Sequence, residues 1–198
     1  MKDKLNGKQI SLVLGEPKHI PELLKIIRNR KSMSRMREFG RFRKGGWTKA
    51  EAKEWVRSWR KRHRAKDGTF WIALDENGSV AGFGGFVRFN LKARNAEFGY
   101  ALHHPYWGKG IAAEIYLLAL EYGFKDLNLH RIEFMTLWNN VRMRSFFEKA
   151  GVPFEGLRRG AVLENGRPTD QAVYAVLRNE WPIVKKKLER RRDRRRSS

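Results

Sequence analysis

Tyr106-Trp107-Gly108-Lys109-Gly110-Ile111-Ala112 is the stretch on which the reading of this 198-residue chain turns. It follows an apolar run ending near Leu102 and opens an apolar, helix-compatible run. Two glycines before a helix start let successive backbone N–H groups converge. Together with the partial positive charge of the helix N-terminus they make an anion site suited to a pyrophosphate. Lys109 adds a full charge. Neither GxxxxGK[ST] nor GxGxxG is present, so the nucleotide loops that share this local logic do not apply. Taken alone, the segment also fits a plain glycine turn between strand and helix, and the neighbouring sequence has to decide.

Upstream, Gln9–Leu14 alternates polar and apolar residues as a strand does. Pro17 opens a helix with Ile20, Leu23, Leu24 and Ile27 on one face. A loop rich in Arg, Lys and Gly leads to Thr48, which with Glu51 matches a capping box for a second helix running to about Arg64. Period-two strands over 69–75 and 79–89 are joined by Glu76-Asn77-Gly78, a hairpin signal, and 93–103 supplies a third strand. Downstream come a helix at about 109–124, a strand at 131–137, a helix at 141–150, and a second hairpin signalled at Asn165-Gly166 between 156–163 and 169–177. Glu114 falls one turn into the first of these helices and reads as solvated or paired. The fold class is α+β.

Charge is distributed unevenly. The whole chain is +22, but residues 1–68 carry +14, residues 69–184 only +1, and residues 185–198 +7. A near-neutral domain core is therefore flanked by two basic devices. The expected division is a folded domain over 1–184 and a basic C-terminal tail over 185–198, the tail being either a solvated helix end or a binding arm. The absence of cysteine excludes disulfides, thiolate metal sites and a cysteine nucleophile. No apolar run approaches 18 residues, and Met1-Lys2-Asp3-Lys4-Leu5 is not followed by a signal-type segment, so the expectation is a cytoplasmic protein without membrane attachment. His103 and His104 lack a third ligand at useful spacing, and no metal is expected.

The order of elements, with three local patterns, resembles the GNAT superfamily of acyl-CoA-dependent N-acetyltransferases. The family's Gln/Arg-x-x-Gly-x-Gly/Ala loop reads here as Trp107-Gly108-Lys109-Gly110-Ile111-Ala112, with Trp in first position. Asn139 to Val152 resembles its Asn-x-x-Ser-x-x-x-x-Glu-Lys-x-Gly-Phe segment, aligned on Glu148-Lys149 so that the Asn is Asn140. Asp170 to Trp181 is similar to the closing strand of the branch that includes ribosomal-protein N-terminal alanine and serine acetyltransferases. The resemblance covers about 8–182. It implies a three-layer αβα fold around a mixed, mostly antiparallel sheet, and acetyl-CoA as co-substrate. The amides of Trp107, Gly108, Lys109, Gly110, Ile111 and Ala112 would hold its pyrophosphate. Tyr100, Ala101 and Leu102 would splay from 131–137 and pair with the pantetheine arm.

An acceptor amine attacking a thioester must be neutral, so a base is needed, and with no acyl-enzyme nucleophile in view transfer would be direct. By the same resemblance Glu97 is the candidate base, the alternative being a paired strand carboxylate. Asn140 would contact the cofactor or cap the following helix. Met143 stands where the family commonly has Ser, and Phe147 where many members carry a proton-donating Tyr, so the usual acid is missing. Ser145 and Tyr106 are substitutes outside the motif, and protonation by solvent or thiolate release without an enzymic acid stays open.

Residues 28–66 hold 16 basic and 3 acidic residues, with Phe39, Phe42 and Trp47 among them. By the same resemblance the first two helices and their loop form much of the acceptor rim, and a rim of this charge disfavours a polycation and favours an amine on an acidic or RNA-bearing surface. The expected acceptor is a protein N-terminus, with ribosome or RNA contact through 28–66 and 185–198. The alternatives are a small-molecule amine, or an RNA-binding module without catalysis. Monomer and homodimer both remain open.

Overall fold

The computed structural model describes residues 1–33, 47–164 and 166–194. Phe39, Phe42, Asn165 and the last four residues of the basic tail lie outside the described residues. One eight-stranded sheet runs in the order β1-β2-β3-β4-β5-β6-β8-β7, with strands at Lys4–Asn6, Ile10–Leu14, Thr69–Asp75, Val80–Asn90, Asn95–Leu102, Arg131–Leu137, Phe154–Glu164 and Arg167–Leu177 for β1 to β8. Every neighbouring pair is antiparallel except β5 and β6. Both expected hairpins form.

Helices cover both faces, giving the three layers expected. On one face, α1 (Ile20–Arg28) buries Ile20, Leu23, Leu24 and Ile27, as their spacing requires. The four-residue α2 (Arg30–Met33) follows it, and α3 (Lys49–Arg64) packs alongside. The start of α3 is fixed by the capping box: the Glu51 N–H donates to Thr48 Oγ1 at 3.1 Å and the Thr48 N–H to Glu51 Oε2 at 2.8 Å. Its apolar stripe, Ala52, Val56 and Trp59, closes over Phe70 and Phe83 of the sheet. Beneath it, the Trp55 and Phe70 rings meet edge to face at 4.1 Å.

The other face carries α4 (Ile111–Glu121), α5 (Val141–Ala150) and α6 (Trp181–Arg194). Tyr116, Phe134, Phe147 and Tyr174 form the aromatic heart of this layer. Glu114 is paired rather than solvated. It is buried on α4, where its carboxylate accepts the N–H groups of Lys8 and Gln9 and so ties the β1–β2 turn to the helix. Helix α6 starts within the expected domain and runs on through the basic segment, with Trp181, Val184 and Leu188 buried in the core. None of the described helices is long and apolar enough to cross a membrane.

Candidate active site

The sheet is fastened at one end of β5 and open at the other. Parallel pairing with β6 consists of Asn95 with Arg131, Ala96 with Ile132 and Glu97 with Glu133, and then stops. Phe98–Leu102 and Phe134–Leu137 continue as strands without pairing to each other, because from this point they diverge. β5 keeps its antiparallel contact with β4, and β6 keeps its contact with β8, so the opening lies within the sheet. A cavity of about 1010 Å³ fills it, at the upper end of ligand pockets.

Glu97 sits where the split begins. By strand alternation it shares the face of Ala101, which packs under α1 and α3, whereas Phe98 and Leu102 face the layer of α4 to α6. An irregularity in β4 between Phe86 and Arg88 sets Arg88 opposite Glu97, with Arg88 Nε 3.2 Å from Glu97 Oε2. The geometry is that of an ion pair, not a hydrogen bond, and that oxygen accepts no hydrogen bond among the described residues. Glu97 is only 7% exposed. Burial raises its pKa above the usual carboxylate value of 4.5; Arg88 pulls it down, Glu133 pushes it up and Arg158 draws it down again.

At the far end of β5 the chain turns through His104–Tyr106 into the glycine segment. Gly108 and Gly110 have φ of 83° and 80°, the left-handed region that a side chain disfavours. The first hydrogen bond of α4 runs from the Glu114 N–H to Gly110 O at 3.2 Å, so the N–H groups of Ile111, Ala112 and Ala113 precede any helical acceptor. Trp107 Nε1 donates to Leu102 O at 2.9 Å, fixing the indole against the strand end. The Arg142 guanidinium of α5 lies over that indole, 4.4 Å from the ring centroid.

Of the residues singled out from sequence, Glu97, Tyr100, Ala101, Leu102, Trp107, Gly108, Gly110, Ala112 and Asn140 all line this one cavity. Lys109 and Ile111 do not: the Lys109 ammonium lies 5.8 Å from the Tyr106 ring centroid, and Ile111 is buried in the core. Asn140 does cap α5. Its Oδ1 accepts the Met143 N–H at 3.4 Å while its Nδ2 donates to Thr136 Oγ1 at 3.0 Å.

Neither substitute acid is brought to the site. Ser145 is absent from the lining, and Tyr106 is turned away, donating to Asp75 Oδ2 at 2.7 Å. Phe147 is core, 4.7 Å between ring centroids from Tyr174. The cavity instead contains two phenols that the sequence reading passed over as acids, Tyr100 and Tyr116, with ring centroids 5.2 Å apart. Burial raises both hydroxyls far above the ordinary tyrosine value, and Tyr100 donates to Met143 Sδ at 3.6 Å. Phe146 and Arg191 also line the cavity. Tyr100 and Met143 are 43 residues apart, so no local pattern hints at their contact; the packing of α5 on β5 makes it. Among the described residues no group of three or more His, Asp or Glu could hold a metal ion.

The cavity thus follows the split in the sheet from a buried carboxylate to a turn with two left-handed glycines. The acetyltransferase (GNAT) domain family matches residues 10–153. The chain belongs to the GNAT acetyltransferases. Among GNAT relatives, the uncharacterized N-acetyltransferase p20 of Bacillus licheniformis is 33% identical over 112 residues, 57% of this chain and 63% of that protein. The first relatives are thus matched over just under two thirds of their length. The "Putative ribosomal N-acetyltransferase YdaF" of Bacillus subtilis is 27% identical over 88% of this chain and 94% of its own. The spermidine N(1)-acetyltransferase of Escherichia coli K12 is 32% identical over 60% of this chain and 63% of its own. In fold, the chain superimposes on a GCN5-related N-acetyltransferase from Brucella melitensis with a TM-score of 0.80, at 25% identity over 96% of this chain and 85% of that one. It also superimposes on RimL, a ribosomal L7/L12 alpha-N-protein acetyltransferase in complex with coenzyme A, with a TM-score of 0.78, at 16% identity over 88% and 97%. GNAT enzymes use acetyl-CoA, and a turn with two left-handed glycines at the mouth of a cavity this size fits its diphosphate.

Proposed function

We propose that this chain transfers an acetyl group directly from acetyl-CoA to a primary amine, the α-amine of a protein N-terminus such as that of a ribosomal protein, in the cytoplasm. The observation that carries the reading is the end of β5–β6 pairing at Glu97 and Glu133, which puts a buried carboxylate at the inner end of a cleft leading to the glycine turn. Acetyl-CoA supplies an activated thioester carbonyl. The N–H groups of Gly108, Gly110 and Ala112, at the first turn of α4, are the donors offered to its phosphates, whereas the expected Trp107 amide is already taken, donating to His104 O at 3.1 Å. The edge of Phe98 to Leu102 that faces β6 is left without strand pairing and offers its donors and acceptors to an extended arm.

Glu97 takes the proton of the attacking amine, directly or through water. Its raised pKa makes the carboxylate a stronger base than an ordinary glutamate. An α-amine suits such a base, because its reference pKa of about 7.7–8.0 leaves a useful neutral fraction at pH 7, unlike lysine near 10.4. Tyr100, on the same strand and kept protonated by burial, is a hydroxyl of this cavity that can donate a hydrogen bond to the leaving thiolate, which departs as such and takes its proton from solvent.

Acceptor choice follows from charge. Between the start of α1 and α3 lies an open groove of about 850 Å³ lined by Lys18, Lys53, Arg57, Arg60, Lys61 and Arg64, with Glu16 as the acid among its lining residues. Such a wall repels spermidine-like polycations and attracts RNA or an acidic protein surface, so an N-terminus presented on the ribosome is favoured over a free polyamine. The YdaF relative, matched over most of its length, supports the same direction.

The test is incubation with labelled acetyl-CoA and a panel of N-terminal peptides, free polyamines and intact ribosomes at low and high salt. Label on peptides or ribosomal proteins, with the ribosomal share falling as salt rises, is the expected result; label on polyamines alone, insensitive to salt, overturns the acceptor assignment. Glu97→Gln tests the base. Loss of about 10²–10⁴ in kcat/KM is expected, together with loss of an acidic limb that lies above 4.5.

A further inference from the structure

The burial pattern of α6 does more than anchor the C-terminus. Trp181, Val184 and Leu188 are spaced i, i+3 and i+7 and are all buried, so one face of the helix is fixed against α4 and α5. Continuing that face by three and four residues brings Arg191 and Arg192 inward at the end of the helix. There α6 meets the glycine turn: a Cβ added to Gly110 would lie 2.8 Å from the carbonyl oxygen of Arg192. Gly110 is thus required twice, by its φ of 80° and by this close approach.

The two arginines then part. Arg192 bonds Asp193 through Nε at 2.8 Å. Arg191 lines the cavity, with its guanidinium 5.2 Å from the Phe146 ring centroid on α5. One turn earlier on α5, Arg142 lines the same cavity with its guanidinium over Trp107. Each of two cations is therefore steadied by an aromatic ring, Arg142 on the indole of Trp107 just before Gly108, and Arg191 next to the Arg192 carbonyl that approaches Gly110. Trp107 occupies the position at which the loop pattern more often has Gln or Arg. Here the indole carries a guanidinium delivered from α5 instead.

We propose that Arg191 and Arg142 hold phosphate groups of acetyl-CoA at the glycine turn, so that the basic C-terminal helix is part of the coenzyme site. This rests on the acetyl-CoA reading above. The chemistry is that of a guanidinium fork on phosphate oxygens, in a site already supplied with backbone N–H donors. Coenzyme A offers two such groups, its diphosphate and its 3′-phosphate monoester, and both are tested.

Calorimetric titration of the full chain with coenzyme A and with 3′-dephospho-coenzyme A provides the measurement. Arg191→Gln and Arg142→Gln are each expected to weaken coenzyme A binding tenfold or more and to flatten its dependence on salt. Lys186→Gln, which removes the same charge from the exposed face of α6, is expected to leave it unchanged. If Arg191→Gln weakens both ligands equally, the guanidinium serves the diphosphate; if only coenzyme A suffers, it serves the monoester. Either outcome supports the proposal. Wild-type binding in Arg191→Gln overturns it, while absence of heat in the wild-type protein overturns the acetyl-CoA reading itself. Should Arg191→Gln melt early without ligand, Arg191→Lys decides: recovery of at least half of the lost affinity on a logarithmic scale supports the assignment, and no recovery overturns it.

Discussion

Helices α3 and α6 are built from the same materials and end in different places. Both carry runs of Lys and Arg, and both are anchored by tryptophan, Trp59 in α3 and Trp181 in α6. In α3 the charged residues 53, 57, 60, 61 and 64 follow the edge of the buried stripe and form the wall of an open groove. Arg62 leaves that wall to lie over Trp59 at 4.4 Å and to bond Asp67. In α6 the buried stripe itself runs into the basic segment, and its continuation puts Arg191 into the wall of the cavity between β5 and β6. A count of charges does not distinguish these cases. The phase of the apolar stripe relative to the basic run does.

The comparison breaks most visibly at Leu188. It is 1% exposed within the basic segment, so Leu188→Ala is expected to cost about 2–5 kcal/mol in a denaturation experiment. A cost below about 0.5 kcal/mol would make α6 a loosely attached arm, and the contrast with α3 would fail. Next in size is charge reversal on α3. Lys53→Glu with Arg57→Glu and Arg64→Glu is expected to raise KM for ribosomes about tenfold, close to 1.4 kcal/mol, and to leave KM for short peptides and the affinity for coenzyme A unchanged. Thr48→Ala, which removes the capping box of α3, is expected to cost about 1 kcal/mol of stability with no effect on coenzyme A binding.

A subtler expectation concerns pH and Glu97. Its folded pKa is raised, so the folded protein holds that proton more tightly than the unfolded chain, and stability is lost as pH rises from the ordinary carboxylate range through the folded value. Above that value the penalty is fully present. Glu97→Gln is therefore expected to melt at the same temperature as wild type or slightly higher at pH 8, while losing activity. A clear drop in melting temperature would instead mark Glu97 as a structural partner of Arg88.

What could be read from the sequence was what local chemistry decides. The Thr48–Glu51 box, the Glu76-Asn77-Gly78 hairpin and the strand at 131–137 are specified by residues within a few positions of one another, and they form where expected. The glycine turn was legible because φ above zero at 108 and 110 needs glycine at both. β1 was not, since its three residues offer one apolar side chain, Leu5, and its pairing depends on β2. The Tyr100–Met143 contact and the approach of Arg192 to Gly110 join residues far apart in the chain, and no local pattern encodes them. Arg191 is intermediate: the 181, 184, 188 spacing was there to be read, but the density of charge around it reads as a solvated end.

The seam between β5 and β6 has a mechanical consequence. Because its rungs are confined to residues 95–97 and 131–133, the two half-sheets are joined there as by a hinge. A rotation about those rungs changes the gap least beside Glu97 and most beside Leu102. The end at Glu97 is therefore the stiffer one and the end at Leu102 the more compliant, so under the proposed acetyl-CoA reading bulk is expected to be tolerated beside the glycine turn and discriminated against beside Glu97.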